Sequence, residues 1–238
     1  NINFEEGVMN IGQNWNTWPT EPMPMMAESS GGVTVPDGEI ISIANNFLAK
    51  YGIDRATYGE PFVANNDWGR PMPLMETSSA KEQSSTAYYA PMMATVTYPL
   101  ELDGRPVYED GGHQFGLQIT VALKERQVVS AYNMMTQRYD ASKYVLETDK
   151  ERIETIAERG GVYGYVPPAG TKAITVELGN PEMVWMRHFQ WREGGEQTEL
   201  FVPAFAFPVS RPTNDINLPK MILVPLVKVR ISTKTQAV

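Results

Sequence analysis

Apolar positions between 37 and 52 recur at helical spacing. Ile40, Ala44, Phe47, Leu48 and Tyr51 share one face, which predicts an amphipathic helix. Asp37 is placed to cap its start. Gly52 supplies a left-handed end, and Ile53 can fold back on the last turn. Further along, the period changes to two. Leu117, Ile119, Val121 and Leu123 alternate with Gln118, Thr120 and Ala122, as in a half-buried strand. Leu102-Asp103-Gly104-Arg105 reads as a turn between strands over 96–102 and 106–108. Lys124-Glu125-Arg126 turns the chain, and 127–135 returns.

A second helix follows. Thr148-x-x-Glu151 fits a capping box. Ile153, Ile156 and Ala157 face one side, and Gly160-Gly161 ends the helix. Strands are expected again at 172–178, 183–191, 198–207 and 221–231, with Gly194-Gly195 closing one hairpin. Pro203 and Pro225 lack a backbone donor, so each pushes its strand toward an edge or a bulge. Residues 54–87 read as loop, with Gly59-Glu60-Pro61, Asn65-Asn66-Asp67 and Ser78-Ser79 along it. Residues 1–36 read as an irregular Pro/Met-rich arm. Pro22-Met23-Pro24-Met25-Met26 opposes helix there, and Ser29-Ser30-Gly31-Gly32 forms a flexible joint.

The order is arm, helix, loop, strands, helix, strands. It predicts an α+β fold of two helix-plus-antiparallel-sheet meander units, the first over 37–146 and the second over 147–238. In each, a helix buries its apolar stripe on one face of a sheet.

Composition narrows the function classes. The chain has 238 residues, no Cys, two His and a formal charge of -8. Without Cys there is no disulfide scaffold, thiolate zinc site, iron–sulfur cluster or thiol nucleophile. An acidic chain is a poor ligand for phosphate polymers, so no nucleic-acid partner is expected. A hydrophobic share of 42% is too high for a disordered chain. No apolar run reaches the roughly 20 residues of a membrane span. Charge is graded: 9 acidic and 3 basic residues in 1–70, 13 and 9 in 71–170, then 6 and 8 in 171–238. The chain starts at Asn1, not Met, and a cysteine-free chain suits an oxidising compartment. The start fits either a removed leader or a trimmed end, and cysteine absence is neutral to mildly favourable for export. The expected placement outside the cytoplasm, secreted or anchored by an upstream segment, rests on the resemblance given below.

Several residues carry a resemblance. Ala44-Asn45-Asn46-Phe47-Leu48-Ala49-Lys50-Tyr51-Gly52-Ile53 followed by Tyr58-Gly59-Glu60-Pro61 resembles the opening of YycH/YycI-like and PepSY-type extracytoplasmic bacterial modules. Leu102-Asp103-Gly104-Arg105-Pro106-Val107-Tyr108 with Leu117-Gln118-Ile119-Thr120-Val121 is similar to their turn and paired strands. Ala173-Ile174-Thr175-Val176-Glu177-Leu178, and Glu199-Leu200-Phe201-Val202-Pro203-Ala204-Phe205-Ala206-Phe207, extend the likeness over 37–231. The long 54–87 segment and the Met-rich arm depart from the pattern. The resemblance implies an exported or membrane-anchored module without a catalytic centre. Such a module modulates a kinase or peptidase through its surfaces, so no functional residues carry over.

Chemistry-bearing motifs are few. His113 lies in the polar turn Glu109-Asp110-Gly111-Gly112-His113, and His188 lies on a strand. A divalent metal could use Glu109, Asp110 and His113, but a stable site needs three or four convergent, supported ligands, so a solvated turn is the expected reading. His188 has no acid at ligand spacing. Asn65-Asn66-Asp67 and Asn214-Asp215 fall short of a calcium loop. Ser78-Ser79-Ala80-Lys81 is a Ser-x-x-Lys match without partner motifs. There is no nucleophile elbow, Walker loop or dinucleotide fingerprint. No catalytic residue, metal or cofactor is therefore expected.

Aromatic residues are the most distinctive cluster. Trp185, Phe189 and Trp191 share one strand face, and Phe201, Phe205 and Phe207 share the next. They form core, or a partner-binding face on which aromatics act as hot spots. Trp15 and Trp18 in the arm carry the same two readings.

The expected function is a non-catalytic protein-binding or regulatory module of a bacterial cell envelope, with an envelope-bound protein as partner. The alternative is a structural subunit of a surface assembly, a homo-oligomer joined through the N-terminal arm. A hydrolase with dispersed carboxylates stands third.

Overall fold

A computed structural model describes residues 2–3, 7–12, 35–64, 93–135, 138–162, 164, 175–191, 197–210 and 219–227. The chain divides into two compact units. One comprises Asn1–Pro99 and Gly116–Gln137, the other Leu100–Phe115 and Arg138–Val238.

The first unit holds β1 (Ile2–Asn3), β2 (Val8–Gly12), α1 (Asp37–Lys50), β3 (Phe62–Ala64), β4 (Met93–Pro99), β7 (Gly116–Ala122) and β8 (Gln127–Met135). Its sheet runs β1-β2-β8-β7-β4-β3, all antiparallel. The period-two pattern does what it predicts. Leu117, Ile119 and Val121 are each 0% exposed and pack with Val96, Tyr98 and Ala131. From α1, Ile40, Ala44 and Leu48 fill the same core. The opposite face carries Thr95, Thr97, Gln118, Thr120, Ser130 and Tyr132, paired in register.

Both ends of α1 are informative. The cap residue is Pro36, and no side chain caps the first turn, which corrects the expectation for Asp37. Asp37 is instead the first helical residue, where its charge suits the helix dipole. At the other end Gly52 takes φ 65°, its N–H bonds Ala49 O, and the Ile53 N–H bonds Leu48 O at 2.9 Å. This is the paired-bond ending that a left-handed glycine permits, with Ile53 packed back on the core.

The second unit holds β5 (Glu101–Leu102), β6 (Arg105–Tyr108), α2 (Lys150–Glu158), β9 (Glu177–Leu178), β10 (Glu182–Trp191), β11 (Gln197–Ser210) and β12 (Met221–Pro225). Its sheet runs β12-β11-β10-β6-β5, with β9 against the end of β11. The β6–β10 pair is parallel and short: Val107↔Trp185 and Tyr108↔Met186. Even-numbered positions of β10 and β11 form one buried cluster, with Val184, Met186, Val202, Ala204 and Ala206. Odd-numbered Phe205 and Phe207 join Ile222 and Val224 of β12 and Ile153 and Ala157 of α2 in another. Thus α2 lies on the odd face.

The cap of α2 is Asp149, whose side chain accepts the Arg152 N–H. The expected Thr148–Glu151 box is replaced by a single Asp149 cap, and buried Glu147 takes the N–H groups of Thr148 and Asp149.

The α+β expectation is corrected. Half of the described residues, 50%, are in strands and 16% in two helices, so the fold is dominated by its two sheets. Part of the difference lies in segments read as irregular. Residues 8–12 of the arm form β2, and 62–64 of the expected loop form β3. Neither shows its own strand pattern. Each gains its ladder from a neighbour, β8 or β4.

Pro203 is also corrected. It sits in β11, an internal strand between β10 and β12. Its carbonyl accepts the Leu226 N–H, just past the last β11–β12 pair, Ala204↔Pro225. A strand residue points its N and O toward the same neighbour in an antiparallel ladder. The missing donor therefore faces Leu226, whose carbonyl already accepts the Glu147 N–H, so no bond is forfeited.

Candidate functional site

The richest side-chain chemistry lies on the odd face of β10 and β11. Register places Arg187 opposite Phe201, Phe189 opposite Glu199, Trp185 opposite Pro203 and Met183 opposite Phe205. The aromatic stripes do share a face. They are offset diagonally, and the residue directly facing Phe201 is a cation.

Arg187 is the centre. Its guanidinium carbon lies 4.2 Å from the ring centroid of Phe115 and 4.6 Å from that of Phe189. Its Nε donates to Glu199, and its Nη1 lies 3.5 Å from Glu109 Oε1. Arg187 and Glu199 are only 20% and 18% exposed, against 46% for Glu109. A largely desolvated guanidinium over ring faces gains from each ring quadrupole and needs a carboxylate partner. Two carboxylates supply that here.

The aromatic shell continues outward. Phe201 lies 6.3 Å from Phe115, and Tyr139 meets Phe201 edge-on at 5.3 Å. Trp185 is half-buried and donates its indole N–H to Leu102 O at 2.9 Å, which ties β10 to the β5–β6 hairpin. Phe205 is half-buried and Phe207 buried, both packed in the α2 cluster. Trp191 ends β10, and its side chain lies outside the described residues. Trp15 and Trp18 lie outside them too, as do the Ser78–Lys81, Asn65–Asp67 and Asn214–Asp215 candidates.

Residue-type alternation found Phe189 and Phe201 but missed Arg187, Glu199, Glu109, Phe115 and Tyr139. A signal was present for two of them. Arg187 and Glu199 sit at the same parity as the aromatics, so an opposite-charge pair on an apolar face was readable. Phe115, Glu109 and Tyr139 reach the site only through the pairing of β6 with β10 and the course of the chain after β8.

The remaining polar clusters serve packing. Buried Tyr98 donates its hydroxyl to Asn45 Oδ1 at 2.9 Å, and Arg55 donates to the same oxygen. Burial pushes the Tyr98 phenol up to about 12. Burial also raises Tyr108, whose hydroxyl accepts a long hydrogen bond from Gln114. His113 is exposed in its turn, and His188 faces Leu200 on the even side of the ladder. Among the described residues no group of three His, Asp or Glu side chains could hold a metal ion.

No protein-family model matches the chain, and no curated protein matches it. A solved structure with partial likeness is that of an uncharacterized protein from Eubacterium rectale, at 8% identity and a TM-score of 0.34. The likeness covers 81% of this chain and 53% of that one, so the chain spans about half the length of that protein.

Proposed function

We propose that the protein is a non-catalytic, extracytoplasmic protein-binding module of a bacterial cell envelope, and that the Arg187 patch is where it meets an envelope-bound partner. The observation that supports this most is the composition and state of the patch. Arg, Tyr and Trp are the residues that most often dominate binding energy at interfaces, and Phe is enriched there. Here they are held rigid by stacking and hydrogen bonds, so little side-chain entropy is lost on docking. The ionisable groups at its centre, Arg187 and Glu199, are paired with each other. That arrangement suits recognition better than proton transfer. The extracytoplasmic placement draws on the cysteine-free composition and on the likeness to YycH/YycI-like and PepSY-type modules. Among the described residues no helix is long and apolar enough to cross a membrane.

A photo-crosslinking residue at Tyr139 or Phe189 in the living cell tests the reading. A discrete crosslinked protein is expected there and not from Tyr51, which is 59% exposed in the other unit. Equal labelling at all three positions refutes the patch. Turnover of a substrate by the purified chain, abolished by one polar substitution, refutes the non-catalytic reading.

One observation favours the structural-subunit alternative. Ile2, Met9 and Ile11, at the β1–β2 edge of the first sheet, are 58%, 37% and 41% exposed. An apolar sheet edge invites pairing with another chain. Sedimentation of the full chain against one lacking residues 1–36 separates the two readings, since only an assembly subunit loses its oligomer.

A further inference from the structure

We propose that the peptide bond between Lys143 and Tyr144 is a processing site for a trypsin-like endoprotease, and that the cut chain persists as a two-chain protein. Residues 138–146 are all exposed, and they contain no helix, turn or bend. Tyr144, Val145 and Leu146 are 56%, 71% and 47% exposed. One isolated bridge, Leu146 to Val227, closes the run. Endoproteases bind substrate extended over several residues on both sides of the bond. Exposure and scarcity of backbone hydrogen bonds therefore decide where a folded chain is cut.

Lys143 has five exposed, unstructured residues before it and two after it, ahead of the Leu146 bridge and buried Glu147. Several other basic residues among the described ones are held more tightly. Lys50, Lys150 and Arg152 are in helices. Arg126 lies in the tight β7–β8 turn with its guanidinium on Glu39. Arg187 is enclosed by rings and carboxylates. Arg138 follows the end of β8 by three residues, and the two residues before it lie outside the described residues.

The step is a hydrolysis. The Lys143 C–N bond breaks, water adds its hydroxyl to the Lys143 carbonyl carbon, and its hydrogen goes to the Tyr144 nitrogen. A carboxylate and an ammonium result, and no other reactant is required.

Topology keeps the pieces together. The fragment 1–143 carries β5 and β6, while 144–238 carries α2 and β9 to β12. Across the cut, Val107 and Tyr108 stay paired with Trp185 and Met186. Trp185 stays bonded to Leu102 O, and Arg187 stays on Phe115 and Glu109. Val107 and Phe115 are 0% and 1% exposed, so parting the fragments would open a buried core.

Limited digestion of the native chain with trypsin tests this, read by N-terminal sequencing and native size exclusion. A new terminus at Tyr144 is expected, absent from a Lys143→Gln variant. If that terminus never forms, the site is refuted. The second half is tested separately by inserting a sequence-specific protease site between Lys143 and Tyr144. After cutting, the two fragments should elute together with an unchanged circular dichroism spectrum and separate only in denaturant. Fragments that part without denaturant overturn the two-chain form.

Discussion

The guanidinium of Arg187 rests 4.2 Å above the ring of Phe115, a side chain 1% exposed, although 71 residues separate them in the chain. The Nε of the cation donates to Glu199. Removing one partner of a largely desolvated pair strands the other. Arg187→Ala should destabilise the protein by about 2–3 kcal/mol through lost stacking and the unpaired carboxylate. In a cycle with Glu199→Ala, the double variant should lose less than the sum, leaving a coupling of about 1–3 kcal/mol. Urea denaturation of the four proteins checks this. Strict additivity would mean that the pair contributes nothing specific.

Gly112 and Gly104 make a matched comparison. Both have positive φ, 76° and 70°. A Cβ on Gly104 meets nothing within 4 Å, whereas one on Gly112 would lie 2.4 Å from Met221 O. Gly104→Ala should cost only the left-handed backbone term, about 1–2 kcal/mol. Gly112→Ala should cost clearly more, because backbone of β12 must move. Thermal unfolding of the two variants ranks them, and equal losses would show that the turn yields freely.

Tyr98 sets an alkaline limit. Its folded pKa is raised from 10.0 to about 12 by burial. Between those values the unfolded chain releases the proton and the folded chain keeps it. Stability from this group is therefore complete below pH 10 and is lost as pH rises toward 12. Tyr98→Phe should flatten that decline while losing the bond to Asn45 at neutral pH. Denaturation midpoints across the alkaline range, compared between the two proteins, provide the measurement. The same slope in both would assign the decline to other groups.

The β5–β6 hairpin makes the C-terminal sequence dependent on an upstream one. Residues 100–115 belong to the second unit, and β6 borders β10. A fragment 138–238 leaves Trp185 without its Leu102 acceptor and Arg187 without Phe115. It should stay unfolded by circular dichroism, while a fragment 100–238 should fold. A folded 138–238 would show that the hairpin is dispensable.

How much of this was legible follows from where each signal is stored. Periodicity wrote α1, α2 and β7 directly, because the side chains that face one core recur at the element's own repeat. Glycines at 52 and 160 marked the helix ends, because only they take the left-handed turn without cost. The aromatic parity of β10 and β11 likewise announced a special face. Recruitment was not local. Residues 8–12 and 62–64 became strands because neighbouring ladders offered hydrogen bonds, not because their own pattern demanded it. Pro203 entered an internal strand because the carbonyl facing its missing donor already accepts the Glu147 N–H. Glu147 takes the Thr148 amide that the expected box assigns to Glu151, and Asp149 caps the helix instead. The Arg187 site joins 109, 115, 139, 187, 189, 199 and 201. Local sequence fixes which faces are apolar, but a charge is stabilised by whichever groups the folded chain carries to it, and that choice belongs to strand order and register.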